Sequence, residues 1–102
     1  MFGVARDKDL TAMAEALRGI PGIASVILVP LPHERGAPPE MLKDFFPGGE
    51  TAGSWPEAWE KVRAGRLPAL VTGSLFLVAE VLRTFEKPAE RIDAGERFSF
   101  NI

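Results

Sequence analysis

Short apolar runs alternate with segments of helical periodicity along this chain, and that alternation restricts what it can fold into. The clearest runs are Ala24-Ser25-Val26-Ile27-Leu28-Val29 and Leu67-Pro68-Ala69-Leu70-Val71-Thr72. Both are apolar on both faces, and the first is rich in β-branched residues, as in parallel strands covered from two sides. Phe2-Gly3-Val4-Ala5 reads as a shorter buried strand, and Glu50-Thr51-Ala52 as a brief one. Between these runs, Leu10, Met13, Ala14 and Leu17 fall at the spacing of one helix face, closed by Gly19. Glu40 to Phe46 reads as a short helix before Pro47-Gly48-Gly49. Ser54 and Glu57 form a capping box with Pro56 in the first turn, and Trp55, Ala58, Trp59 and Val62 follow on one face as far as Gly65. Leu75 to Phe85 reads as a helix ahead of Pro88. Its main buried face is expected to be Leu75, Val78, Ala79 and Leu82, with Phe76, Leu77 and Val81 adding apolar surface elsewhere. Strands alternating with helices imply βαβ units, an α/β class, a parallel sheet and right-handed crossovers.

Size and charge narrow the function. A chain of 102 residues makes one domain with one modest core. A net charge of −2 and a pI of about 5.4 give no electrostatic reason to expect nucleic acid or an anionic membrane as partner. Without cysteine there is no disulfide, thiolate metal site or thiol nucleophile, and the single histidine, His33, rules out a histidine-rich metal cluster. No apolar run reaches the ~18 residues of a membrane span, and the first residues lack a signal-peptide stretch, so a cytoplasmic protein is expected. The organisation expected is a domain over 1–88 and a tail over 89–102. In the tail, Asp93-Ala94-Gly95 reads as a turn, and Phe98, Phe100 and Ile102 alternate as in a half-buried edge strand.

Parallel sheets bind ligands beyond the carboxyl ends of their strands. Here the first and last buried strands end in Asp7-Lys8-Asp9 and Thr72-Gly73-Ser74. The second leads straight into a helix, whose N-terminus suits a carboxylate or phosphate. Gly73 would let the backbone approach a ligand closely, the Ser74 hydroxyl would donate a hydrogen bond, Lys8 would supply a charge, and Asp7 or Asp9 would hold an ammonium group. If the two strands are neighbours, the loops fit a small zwitterion. Each residue also has a purely structural reading. Ser74 is an ordinary N-cap, Asp7 or Asp9 a cap for the first helix, His33-Glu34-Arg35 an exposed charged loop, and Trp55 and Trp59 core or interface. The chain carries no G-x-x-x-x-G-K-[ST] phosphate loop, no G-x-G-x-x-G fingerprint and no G-x-S-x-G elbow.

Phe2-Gly3-Val4 followed by Asp7-Lys8-Asp9, and Leu70-Val71-Thr72-Gly73-Ser74-Leu75 followed by Leu77-Val78 and Glu80-Val81-Leu82, resemble the C-terminal domain of folylpolyglutamate synthase/dihydrofolate synthase, of the Mur ligase superfamily. Pro32-His33-Glu34-Arg35-Gly36-Ala37 is similar to a family segment with an arginine shortly after the second strand. The resemblance covers roughly residues 2–85. It implies a Rossmann-like fold, which with the strands read above means three layers, a mostly parallel sheet of about four strands and helices on both faces; the alternating tail, which has no counterpart in the family, would add an extra C-terminal strand. It implies ATP-dependent amide formation through an acyl phosphate, with magnesium, folate and L-glutamate in the complete enzyme. By the same resemblance, Ser74 and Lys8 would contact a carboxylate of glutamate, with Gly73 and Asp7 beside them. Arg35 would make a nucleotide or domain-closure contact. No catalytic or metal-binding residue is expected in this chain.

The family's phosphate loop, its central domain and the Asp-Gly-Ala-His-Asn-Pro motif that opens its C-terminal domain are not in this sequence. The expectation is therefore the last part of a larger ligase, inactive without the N-terminal and central domains and binding no cofactor by itself. The competing expectation is a non-enzymatic interaction or oligomerisation module, in which the alternating tail covers a sheet edge or pairs with a second copy.

Overall fold

The computed structural model describes residues 1–85 and the backbone of Phe98–Phe100. Helix α1 spans Leu10–Arg18. Asp9 starts it, its Oδ1 accepting from the Ala12 amide at 3.1 Å, and the Gly19 amide donates to Glu15 and Ala16 at its end. Strand β1 is Ile27–Leu28, helix α2 is Pro39–Leu42 and strand β2 is Glu50–Thr51. Helix α2 is shorter than the Glu40–Phe46 helix expected, because the chain leaves it through turns that bury Phe46. Helix α3, Trp55–Gly65, opens with the Ser54 hydroxyl accepting from the Glu57 amide. The returning Glu57 carboxylate reaches the Gly53 amide at 3.0 Å, one residue earlier than in a standard capping box. Strand β3 is Ala69–Val71, helix α4 is Leu75–Phe85 and strand β4 is Phe98–Phe100.

Pairing is parallel throughout the named strands. Ile27 and Leu28 of β1 align with Glu50 and Thr51 of β2, and Ala69, Leu70 and Val71 of β3 align with Phe98, Ser99 and Phe100 of β4. The N-terminal residues lie between the two pairs. The Phe2 amide donates to Ile27 and the Val29 amide to Phe2, while the Thr72 amide donates to Met1 and the Gly3 amide to Thr72. Phe2 thereby bridges Leu28 on one side and Thr72 on the other, both in parallel sense. These contacts are isolated bridges, so the α/β class holds while regular pairing among the described residues stops at two two-stranded sheets. Gly3 shows how closely the segments approach: a Cβ there would lie 2.8 Å from the Val29 carbonyl oxygen.

Alternation along these segments divides the core. Phe2, Val4 and Leu28 join Leu10 and Ala14 of α1 and Leu42 of α2. Met1, Ile27, Val29 and Val71 join Ala58 of α3 and Leu77, Val78 and Val81 of α4. The strand layer thus packs α1 and α2 on one face and α3 and α4 on the other.

The buried face of α4 differs from the sequence expectation. Leu77, Val78 and Val81 are fully buried, whereas Leu75, Phe76 and Leu82 are 61%, 43% and 38% exposed. The helix is apolar nearly all round, so its i, i+3, i+4 spacing fits two overlapping faces, and packing against β1 and β3 selects the other one. No helix among the described residues is long and apolar enough to cross a membrane. Pro88, the boundary between 1–88 and 89–102, the Asp93-Ala94-Gly95 turn and Ile102 lie outside the described residues. The backbone of the tail at 98–100 pairs with β3 of its own chain.

Candidate functional site

Because the N-terminal segment and β3 run parallel, their carboxyl ends emerge on the same rim. Three stretches meet there. The first is the turn after Ala5, closed by the Lys8 amide donating to the Ala5 carbonyl. The second is the loop after β1, clamped to the first in antiparallel sense: Ala5 bridges Gly36, the Arg6 amide donates to the Arg35 carbonyl at 2.9 Å, and the Arg6 guanidinium donates to the Glu34 carbonyl at 3.0 Å. The third is the start of α4. Together they line a cleft of about 240 Å³ that includes Asp7, Lys8, His33, Arg35, Ser74 and Phe76.

The structure therefore brings Asp7, Lys8, Arg35 and Ser74 to one place, although 66 positions separate residues 8 and 74. Lys8 and Asp7 are exposed, and their side chains have no hydrogen-bond or ion-pair partner among the described residues. Ser74 keeps its structural role as well. Its Oγ accepts from the Phe76 amide at 3.1 Å and its carbonyl from the Val78 amide at 3.0 Å, which makes it the cap of α4. A capping hydroxyl uses its oxygen and leaves its proton free to donate.

Other candidates resolve differently. Asp9 is the cap of α1. Gly73 sits at φ +110°, and a Cβ there would come within 2.5 Å of the Gly3 carbonyl oxygen and 2.9 Å of the Phe2 ring. Contact with the neighbouring strand thus accounts for this glycine without a ligand. Trp55 and Trp59 pack against the core, Trp59 edge-on to Phe85 at 5.2 Å. His33 lies in an exposed loop as read from sequence, with Glu34 and Arg35 exposed beside it, and its ring also lines the cleft and stands edge-on to Phe76 at 5.6 Å. The signal that could have found it is the Pro- and Gly-rich loop directly after a buried strand, the usual place for a binding residue.

A probable bifunctional folylpolyglutamate synthase/dihydropteroate synthase of Haloferax volcanii is 36% identical to this chain over 95 residues. The match supports a relationship to folylpolyglutamate synthase. It covers 85% of this chain and 11% of the relative, so the chain spans about a ninth of that protein's length. No family model matches the chain, and no solved structure gives a significant match.

Proposed function

We propose that this chain is the glutamate-binding portion of a folylpolyglutamate synthase-like ligase, and that it corresponds to the Rossmann-like C-terminal domain of a Mur-type enzyme. The observation that carries the reading is the cleft in which Asp7, Lys8, Arg35 and Ser74 converge from three separate stretches. Glutamate carries two carboxylates and one ammonium group. The cleft offers two cations and one carboxylate, the complementary set. Lys8 pairs with one carboxylate, which also takes the Ser74 proton. Arg35 faces the second through its planar guanidinium, and Asp7 takes the ammonium group. This departs from the nucleotide or domain-closure contact that the family resemblance implies for Arg35; what supports it is that Arg35 and Lys8 line the same cleft.

ATP and magnesium belong to the rest of the complete enzyme in this reading. The sequence has no phosphate loop, and the described residues offer no group of three His, Cys, Asp or Glu side chains suited to a metal ion. Activation of the folate carboxylate is therefore assigned outside this chain, and the chain's own task is to hold and orient the incoming amino acid. A ¹⁵N NMR titration with L-glutamate tests this. Shifts clustered at Lys8, Arg35 and Ser74 are expected, and their absence would sink the reading in favour of a non-enzymatic module. Ser74→Asp, which keeps a capping acceptor but, when ionised, has no proton to donate, is expected to weaken binding several-fold or more with little loss of stability. Turnover by this chain alone with ATP, magnesium, folate and glutamate would contradict the division of labour.

A further inference from the structure

His33 lies in the cleft, yet the scheme above gives it no task. Its Nδ1 accepts the Arg35 backbone N–H at 3.0 Å, and its carbonyl accepts from Gly36 at 3.0 Å. The first bond closes a side-chain turn from residue i to the amide of i+2, the pattern that Asn and Asp side chains form in turns. Only an imidazole unprotonated at Nδ1 can accept it, because both nitrogens of a charged histidine are donors. The Phe76 ring stands edge-on behind the imidazole, on the helix that carries Ser74. The structure thus links the backbone of Arg35 to α4 through one side chain.

We propose that uncharged His33 is a positioning residue: it fixes where Arg35 enters the cleft, and a proton on its ring releases Arg35. As a statement about ligand binding, the inference rests on the glutamate reading; as a statement about the loop, it does not. The charged groups that line the cleft together with the ring are Asp7 and Lys8 from the N-terminal turn and Arg35 from its own loop, with Arg6 bound to the Glu34 carbonyl; Ser74 and Phe76 at the start of α4 are uncharged. The Arg35 carbonyl is held separately by the Arg6 amide. Protonation therefore loosens the amide side of Arg35 while the strand-like clamp on its carbonyl side persists.

Two measurements on the 102-residue chain test this. The first follows the Arg35 amide proton by NMR from pH 8 to 5, the interval in which histidine changes charge. The resonance is expected downfield when the ring is uncharged and upfield once a proton is on Nδ1. In His33→Asn, whose side-chain oxygen restores the acceptor without a titrating ring, it stays downfield throughout. In His33→Ala it stays upfield throughout. An Arg35 amide that holds still while the ring titrates, or an asparagine variant that behaves like the alanine one, would overturn the proposal. The second measurement is L-glutamate affinity at pH 7.5. His33→Asn should match the parent within about twofold and His33→Ala should be roughly fivefold weaker, the effect of one ordinary hydrogen bond. Unaltered affinity in His33→Ala would remove the positioning role. If the parent binds no glutamate while the amide titrates as described, the glutamate reading fails and the loop assignment stands.

Discussion

Arg66 shows a local rule broken and where its cost falls. The sequence places a glycine at residue 65, where α3 is expected to end, but the left-handed position comes one residue later. Gly65 is the last helical residue, and Arg66 adopts φ 55° and ψ 22°. It is the one non-glycine residue with positive φ among those described. A side chain there costs about 1 kcal/mol or more relative to glycine. Arg66→Gly is therefore expected to raise stability by about 0.5–1 kcal/mol, after the greater freedom of glycine in the unfolded chain is subtracted. Urea denaturation reads this directly, and a lower midpoint would mean that the arginine side chain makes a compensating contact. At Gly73 the same arithmetic has the opposite sign. Positive φ and the Gly3 carbonyl both exclude a Cβ, so Gly73→Ala is expected to destabilise by more than 2 kcal/mol.

Among the elements, α4 separates what could be read from sequence from what could not. Helices α1 and α3 alternate apolar and polar residues cleanly, so their N-terminal caps and buried faces are legible: Leu10 and Ala14 are buried in one, Ala58 in the other. In α4 nearly every position is apolar, and spacing alone cannot choose between the face with Leu75 and Leu82 and the face with Leu77 and Val81. The choice comes from the strands beneath it, which no local pattern encodes. Leu77→Ala should cost about 2–5 kcal/mol, the usual loss for a fully buried leucine. Leu75→Ala, at 61% exposure, should change stability by less than about 0.5 kcal/mol. Equal losses at the two positions would mean that something covers the outer face of α4. The strands raise a similar limit. Their apolar runs announce burial, but regular pairing narrows to two or three residues per strand, because the N-terminal segment joins its neighbours only through isolated bridges.

Across the whole molecule, the rim was legible because parallel strands must deliver their carboxyl ends to one side, which brings residues 8 and 74 together once the N-terminal segment and β3 are adjacent. The part played by His33 was not, since it depends on the antiparallel clamp between Ala5 and Gly36, a contact outside any βαβ pattern. In a chain whose first residue is Met1, the same N-terminal segment brings a pH dependence. The Met1 amine donates to the Leu70 carbonyl at 3.0 Å and is largely buried, and burial lowers its pKa from 8.0 to about 6. Below pH 6 the amine is charged in both folded and unfolded chains, and the cost of burying that charge, roughly 2–3 kcal/mol, is felt in full. Between pH 6 and 8 the unfolded chain holds more protons than the folded one, so stability rises with pH across that window and levels off above 8. Chemical denaturation at pH 5.5, 7 and 8.5 should show the rise, in a His33→Asn background that removes the only imidazole. Adding residues ahead of Met1 turns the amine into an amide, which can make the same hydrogen bond without a charge, and the slope should then disappear. A slope that survives the extension would assign the dependence to another group and would mean that the segment between β1 and β3 tolerates its buried amine at no cost.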